Sequence, residues 1–461
     1  MRFGKGIIQV MEWALPIGIA VSGSAANAGF IEDGKASLTL KNLYFDQDFH
    51  SGDAGPSRQT DWGQGFLLDY SSGLTDGVVG VGVDVKGTAV FKLDSGGRTD
   101  KPGRTRQPGA SFPLKHDNSS VDEFSSLGVA VKLALGKSVI KAGEITPNNP
   151  VITSNIGRIA PQTYTGTEAT SSDLDGLKLT VGRVNAAKSR INSGHSGLSI
   201  NGANTQRPSS ASQDGAPARF VNEFIYAGVE YQASENLSLQ YYHAQLTDFY
   251  KQDFLGLKYL LNLGPGRVNF DARQYFSTPD GKNGKASGLA DGYTISGFYG
   301  EDSPYITKGK VDNRMTTLRL TYSFGTHTVG LGYQKLNGRS DLPWLNQGNG
   351  TNQYTFTSTL AAAYTRAGER TRAIDYTYDF SGLGIPGLRA SAMYFYGDQI
   401  ATKLGSRKEF ETDYTLSYVI QDGPLKDLSF VWLNAPYRTN LETARDSDQN
   451  RFIISYTIPL K

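Results

Sequence analysis

The chain of 461 residues contains no cysteine, which excludes disulfides, thiol nucleophiles and cysteine-ligated metals. Net charge is nearly absent too: 46 Lys and Arg against 44 Asp and Glu leave +2, too weak a field to attract nucleic acid. Beyond the extreme N-terminus no apolar run reaches the ~20 residues that a membrane-spanning helix needs. Histidine is sparse. His50, His116, His195, His243 and His327 form no H-E-x-x-H pattern, and no G-x-S-x-G elbow accompanies them, so neither an enzyme nor a cofactor is expected. Asp46, Asp48 and Asp53 lie close together but without the spacing of a calcium loop.

The chain is instead rich in glycine (54), tyrosine (25) and phenylalanine (22), with only 38% hydrophobic residues. A polar average with many aromatics fits a membrane β-barrel, where lumen-facing side chains dilute the lipid-facing ones. The N-terminus reads as an export signal over residues 1–28. Arg2 and Lys5 precede a largely apolar stretch, interrupted by Glu12, and Ala26-Asn27-Ala28 supplies the cleavage site. The mature chain is expected to begin at Gly29, and residues 29–461 show no internal domain boundary.

Those residues alternate with period two. Val79, Val81, Val83 and Val85 alternate with Gly80, Gly82, Asp84 and Lys86. Leu127, Val129, Val131, Leu133 and Leu135 do the same against small or charged neighbours, as do Leu318, Leu320 and Tyr322. Eight short turn clusters punctuate the pattern: near Thr75-Asp76, Gly136-Lys137, 173–176, 233–236, 264–266, Gly325-Thr326, 381–387 and 421–426. Longer polar stretches lie between them, among them 46–61, 91–122, 187–220, 277–313 and 338–370. Eight short turns with nine longer loops predict about 18 strands, both termini on the short-turn side. Phe452, Ile454, Tyr456, Ile458 and Leu460 give a closing strand, with Lys461 one residue beyond it. A soluble β-sandwich would also alternate, but needs neither an export signal nor 18 strands. The predicted fold is therefore all-β, a transmembrane antiparallel barrel in the bacterial outer membrane, bathed in outer-membrane lipid and lipopolysaccharide.

A barrel of that size leaves an aqueous lumen, so function is decided by what narrows and charges it. Strand phase turns Lys86, Lys132, Lys141, Lys178, Arg273, Arg319, Arg389 and Arg451 inward, with fewer acids: Asp84, Asp271 and Asp375. Tyr376, Tyr378, Tyr414 and Tyr418 turn outward as candidates for the interfacial girdles. The segment PNNPVITSNIGRIAPQTYTG (147–166) carries Val151, Ile152, Ile156 and Ile159 around Ser154, Asn155 and Arg158. A loop folded into the lumen would pack those apolar residues on the wall and leave Arg158 at a constriction. The pattern implies selective uptake of small carboxylate-bearing solutes, since a guanidinium fork matches a carboxylate. An adhesin with binding loops and a barrel enzyme are the competing classes.

The chain resembles the OprD-type substrate-specific outer-membrane porins of pseudomonads. The matching stretches are GFIEDGKASLTLKNLYF (29–45), DWGQGFLLDYSSG (61–73), GRIAPQTYTG (157–166), GYQKLNG (332–338), GIPGL (384–388), GPLKDLSF (423–430) and DQNRFIISYTIPL (448–460). The resemblance implies an 18-stranded barrel, monomeric or loosely trimeric, with its third loop folded inward and a ladder of arginines along one lumen wall. It places Arg158 in the constriction loop and Arg451 on the ladder, and it leaves carboxylates and basic amino acids or dipeptides both open as substrates. Where the family often carries further arginines, this chain has Val431, Leu433 and Met393. That thinning suits a carboxylate with a hydrophobic or aromatic body.

Overall fold

Alternation makes strands; whether they close depends on the pairing of the first with the last. The computed structural model describes residues 28–50, 56–98, 106–109, 111–201, 219–299, 306–345, 353–402, 405–442 and 444–461. The export-signal reading falls on residues 1–28, of which 1–27 lie outside the described residues.

Eighteen strands form one closed antiparallel sheet. They begin with β1 (Lys35–Phe49), β2 (Arg58–Ser71), β3 (Gly80–Ser95), β4 (Glu123–Leu135), β5 (Ser138–Ile145) and β6 (Thr163–Ser171). There follow β7 (Leu177–Lys188), β8 (Phe224–Gln232), β9 (Leu237–Leu246), β10 (Tyr250–Leu263), β11 (Gly266–Pro279) and β12 (Asn313–Phe324). The circuit ends with β13 (His327–Gly338), β14 (Arg370–Asp379), β15 (Leu388–Thr402), β16 (Gly405–Val419), β17 (Ser429–Thr439) and β18 (Ser447–Pro459). Each pairs with the next, and β18 pairs with β1 from Pro459↔Ser37 to Ser447↔Phe49. No open edge remains, as a sheet in hydrocarbon requires.

All eight short turns join the strand pairs expected from the sequence, and both described chain ends lie at that rim. Two of the nine opposite connections are not long. Only residues 247–249 and 403–404 separate their strands. The first closes tightly because Asp248 takes a left-handed conformation (φ 66°). The polar stretch 46–61 is strand at both ends, over 46–49 and 58–61. Asp46 accepts a two-point hydrogen bond from Arg58 (2.7 and 2.6 Å), so β1 and β2 stay paired beyond the lipid band. Strands of 15 and 16 residues exceed the ~9–11 that cross a bilayer, so the wall rises above it.

The outer face carries the apolar side chains. Leu127, Val129, Val131, Leu133 and Leu135 on β4 are all exposed, as are Leu331, Ile374, Leu416 and Ile454. At the short-turn rim Tyr322, Phe324, His327, Tyr376, Tyr378 and Phe380 form a chain of ring contacts 4.8–6.0 Å apart, one arc of an aromatic girdle. The packed core is inside the barrel. Loop residues Val151, Ile152, Leu198, Ile200, Ile295, Val311, Leu342 and Leu345 are buried against wall residues Tyr226, Tyr242, Phe254, Tyr275, Met315 and Leu336. The lumen is thus filled along β8–β13.

Candidate functional site in the barrel interior

Two loops shape the lumen: the third on the long-loop rim (L3, residues 146–162) and the seventh (L7, residues 339–369). L3 folds inward as expected. At one end Val151 and Ile152 enter the interior core, and the Tyr275 hydroxyl donates to the Pro150 carbonyl (3.1 Å). At the other end Ile159 packs with Leu43 and Phe112 over two glycines of β2. A Cβ at Gly63 would stand 2.6 Å from Ile159 and one at Gly65 2.3 Å from it, so any side chain there would unseat the loop. The expectation that all four apolar residues of L3 meet the wall fails for Ile156. It is 70% exposed, on the crest of the loop between its two anchors.

L7 is held through its backbone. Glu411 on β16 accepts from the amides of Ala361 and Ala362 (both 2.9 Å) and from the Thr359 hydroxyl (2.8 Å). Next to it, Asp413 accepts from the Leu360 amide (3.4 Å). Carboxylates satisfying consecutive N–H groups fix a loop without helix or sheet.

Between these loops stand four cations: Lys41, Arg158, Arg190 and Arg451. The Arg158 guanidinium lies over the Phe45 ring at 4.3 Å, with Arg451 5.9 Å from the same ring. Arg451 donates to Gln449 (2.6 Å) and to the Leu360 carbonyl of L7 (2.9 Å). Arg190 donates to the Asn155 side chain (3.0 Å), and the Lys41 ammonium donates to the carbonyls of Ile156 and Arg158. A Cβ on Gly157 would meet Arg190 at 3.1 Å and Arg451 at 3.9 Å, so the guanidiniums crowd against L3. All three arginines are at most 8% exposed, and among the described residues the Nε atoms of Arg158 and Arg190 have no hydrogen-bond partner. Burial first, then the charge of Arg451, pushes the Arg190 guanidinium down to about 10. Burial, Arg451 and then Arg190 push Arg158 down in the same way. At about 10, Arg190 remains a cation at neutral pH. The strain of like charges in a dry place is what an incoming anion relieves.

Of the residues read from the sequence, Arg158, Arg451 and Asn155 meet at this cluster. Asn155 orients Arg190 and accepts from the Gly157 amide (2.9 Å), and the neighbouring Ser154 hydroxyl is buried with no partner among the described residues. Arg273 and Arg319 lie on the facing wall. Arg273 makes a two-point bond to Asp271 (both 2.7 Å) and lies 4.2 Å from the Tyr354 ring of L7. Arg319 bonds Asp375 at 2.9 Å, with Phe356 5.5 Å away. Lys132 and Arg389 belong nearer the short-turn rim, bonded to Asp84 (3.0 Å) and Asp379 (2.8 Å). Lys41 and Arg190 were missed. Lys41 was readable, since it shares a face of β1 with Leu43 and Phe45 while Leu38 and Leu40 point outward. Arg190 was not, because a bulge between Val184 and Ala186 breaks the phase just before it.

A closed 18-stranded barrel lined by charge and narrowed by inward loops defines an outer-membrane channel. The family model described as outer membrane porin, OprD family, matches residues 28–460. Porin D of Pseudomonas aeruginosa is 30% identical over 461 residues, covering 95% of this chain and 94% of that protein. Among solved structures, P. aeruginosa OccK8 (OprE) superposes with a TM-score of 0.84 at 43% identity, over 94% of this chain and all of that one. P. aeruginosa OpdK with vanillate (30% identity) and OccK2 (OpdF) in complex with glucuronate (29%) each give a TM-score of 0.76 over the same shares. The chain belongs to the OprD family of outer-membrane porins, and is a substrate-specific passive channel rather than an enzyme.

Proposed function

We propose that the channel admits small carboxylate-bearing solutes whose remaining body is apolar or aromatic. The observation that carries this reading is the cluster of Lys41, Arg158, Arg190 and Arg451 between L3 and L7, with the Nε atoms of Arg158 and Arg190 unpartnered among the described residues. A planar guanidinium fork binds a carboxylate at two points, and the Arg158 guanidinium is held over Phe45 at 4.3 Å. Apolar surface stands close by. Val431, Leu433 and Met393 have inward phase, Leu433 lies directly across from Arg451, and Ile156 is exposed on the loop crest. Vanillate and glucuronate, found with two related channels, are both carboxylates.

The same-family alternative, a channel for basic amino acids or dipeptides, needs free carboxylates opposite the guanidiniums. Glu411 has the right place, but both its oxygens are taken by L7.

The test is single-channel conductance in a planar bilayer, with reversal potential under a salt gradient. The wild type is expected to be anion-selective and to be blocked by benzoate more strongly than by acetate, and Arg158→Ala to lose much of that selectivity. A cation-selective wild type, or block by arginine and not by benzoate, would overturn the reading. A folded barrel without conductance would return attention to the adhesin class.

A further inference from the structure

Four basic residues gather on the lipid-facing side of β12–β14, at the long-loop end. Arg314, Lys335, Arg370 and Arg372 all share outward phase with exposed apolar residues further down their own strands: Leu318 and Leu320, Leu331 and Tyr333, Ile374 and Tyr376. Lys335 is directly opposite Arg370 in the β13–β14 register, and the position facing Arg314 on β13, Asn337, is two residues from Lys335. Like charges directly across a sheet repel. One carboxylate, Asp398, serves the group. It bonds Arg370 at 2.9 and 3.0 Å and Arg372 at 3.1 Å. Among the described residues neither Lys335 nor Arg314 has an ion-pair partner, and Arg314 rests over the Phe276 ring at 5.6 Å.

The height of the cluster on the wall says what faces it. Tyr333 and Tyr396 lie one outward position nearer the short-turn rim than Lys335 and Asp398, level with Arg372, and Tyr394 lies one position further down beside Ile374. Outward tyrosines above an apolar column mark the membrane–water interface. One further outward position is about 7 Å higher, two residues at ~3.4 Å each, which is the level of lipid headgroups. The long-loop rim is the outer one in barrels of this class, so that leaflet is lipopolysaccharide.

We propose that Arg314, Lys335, Arg370 and Arg372 form a fixed binding site for a phosphate group of the outer-leaflet glycolipid. The phosphate lies between Lys335 and Arg370 and relieves their repulsion, while the acyl chains follow the apolar column below. The site is on the outside of the wall, so solute passage does not depend on it.

Native mass spectrometry of the full-length barrel, released from detergent with bisphosphorylated lipid A, tests the assignment. The wild type is expected to retain the lipid adduct. Lys335→Gln with Arg372→Gln is expected to retain at least about fivefold less, with conductance in potassium chloride unchanged as proof of an intact barrel. Dephosphorylated lipid A should fail to bind, and millimolar inorganic phosphate should not displace the adduct. Equal retention by wild type and double variant, or by both forms of lipid A, would overturn the proposal. If the double variant yields no barrel, Lys335→Gln alone, a change at a surface position, is read by the same comparison.

Discussion

The two walls that face each other across the lumen handle charge in opposite ways. On the lumen face of β11–β14 each named cation has its own carboxylate: Arg273 with Asp271, and Arg319 with Asp375. Under L3 the cations have one another, with carbonyl and amide oxygens as partners instead of carboxylates. The first wall is close to neutral and packs against inward loops; the second concentrates positive charge between L3 and L7. Pairing, not the number of arginines, decides where a lumen is electropositive.

The largest expected effect comes from removing the unpaired charges. One unit charge about 5 Å from a permeating ion is worth about 0.8 kcal/mol in water, roughly fourfold in relative occupancy. Two such charges multiply to roughly sixteenfold, so replacing both Arg158 and Arg451 with alanine is expected to lower the anion-to-cation permeability ratio by at least that factor, measured from reversal potentials. A loss no larger than that of Arg319→Ala would erase the distinction between the walls.

Next comes the seat of L3. Gly65→Val places methyl groups on Ile159, a clash costing about 1–3 kcal/mol unless the loop moves. The expected outcome is higher conductance with noisier openings and new trypsin cleavage at Arg158. The same substitution at Gly332, across the lumen, presses on Phe356 of L7 instead and should leave Arg158 protected. Cleavage at Arg158 in both variants would show that the two loops are not seated independently.

A smaller change sharpens the comparison from the neutral side. Asp375→Asn frees Arg319 from its carboxylate without removing the arginine. Anion preference is expected to rise, by less than the roughly fourfold of a fully exposed unit charge. An unchanged reversal potential would mean that this wall does not face the ion path.

Much of this was legible in the sequence, and for a definite reason. Period-two alternation is enforced by lipid on one side and water on the other, so the eight short turns and the inward phase of Arg273, Arg319 and Arg451 follow from counting. Counting does not give partners. Asp271 and Asp375 have inward phase, but phase does not show that they bond Arg273 and Arg319 and so neutralise two of the eight basic residues that it turns inward. Nor does phase reach into loops. The hold of Glu411 on Ala361 and Ala362 is between a strand side chain and loop backbone, and such a contact has no periodic signature.

The smallest effect concerns pH and the base of L7. Asp341 in that loop accepts from the Ala367 amide at 2.8 Å, and burial, opposed by Arg366, raises its carboxyl to about 7. A carboxyl raised above its ordinary value near 4 favours the protonated folded form. Its contribution to the seating of L7 is therefore greatest below pH 4 and declines as pH rises through about 7. Openings should be quieter at pH 5 than at pH 8, the slow L7 fluctuations growing between them. Asp341→Asn mimics the neutral state and should stay quiet across the range, with reversal potential unchanged because the cations under L3 are not involved. If the variant keeps the pH dependence, the titrating group is not Asp341, and another carboxyl that bonds L7, such as Glu369, sets its seating.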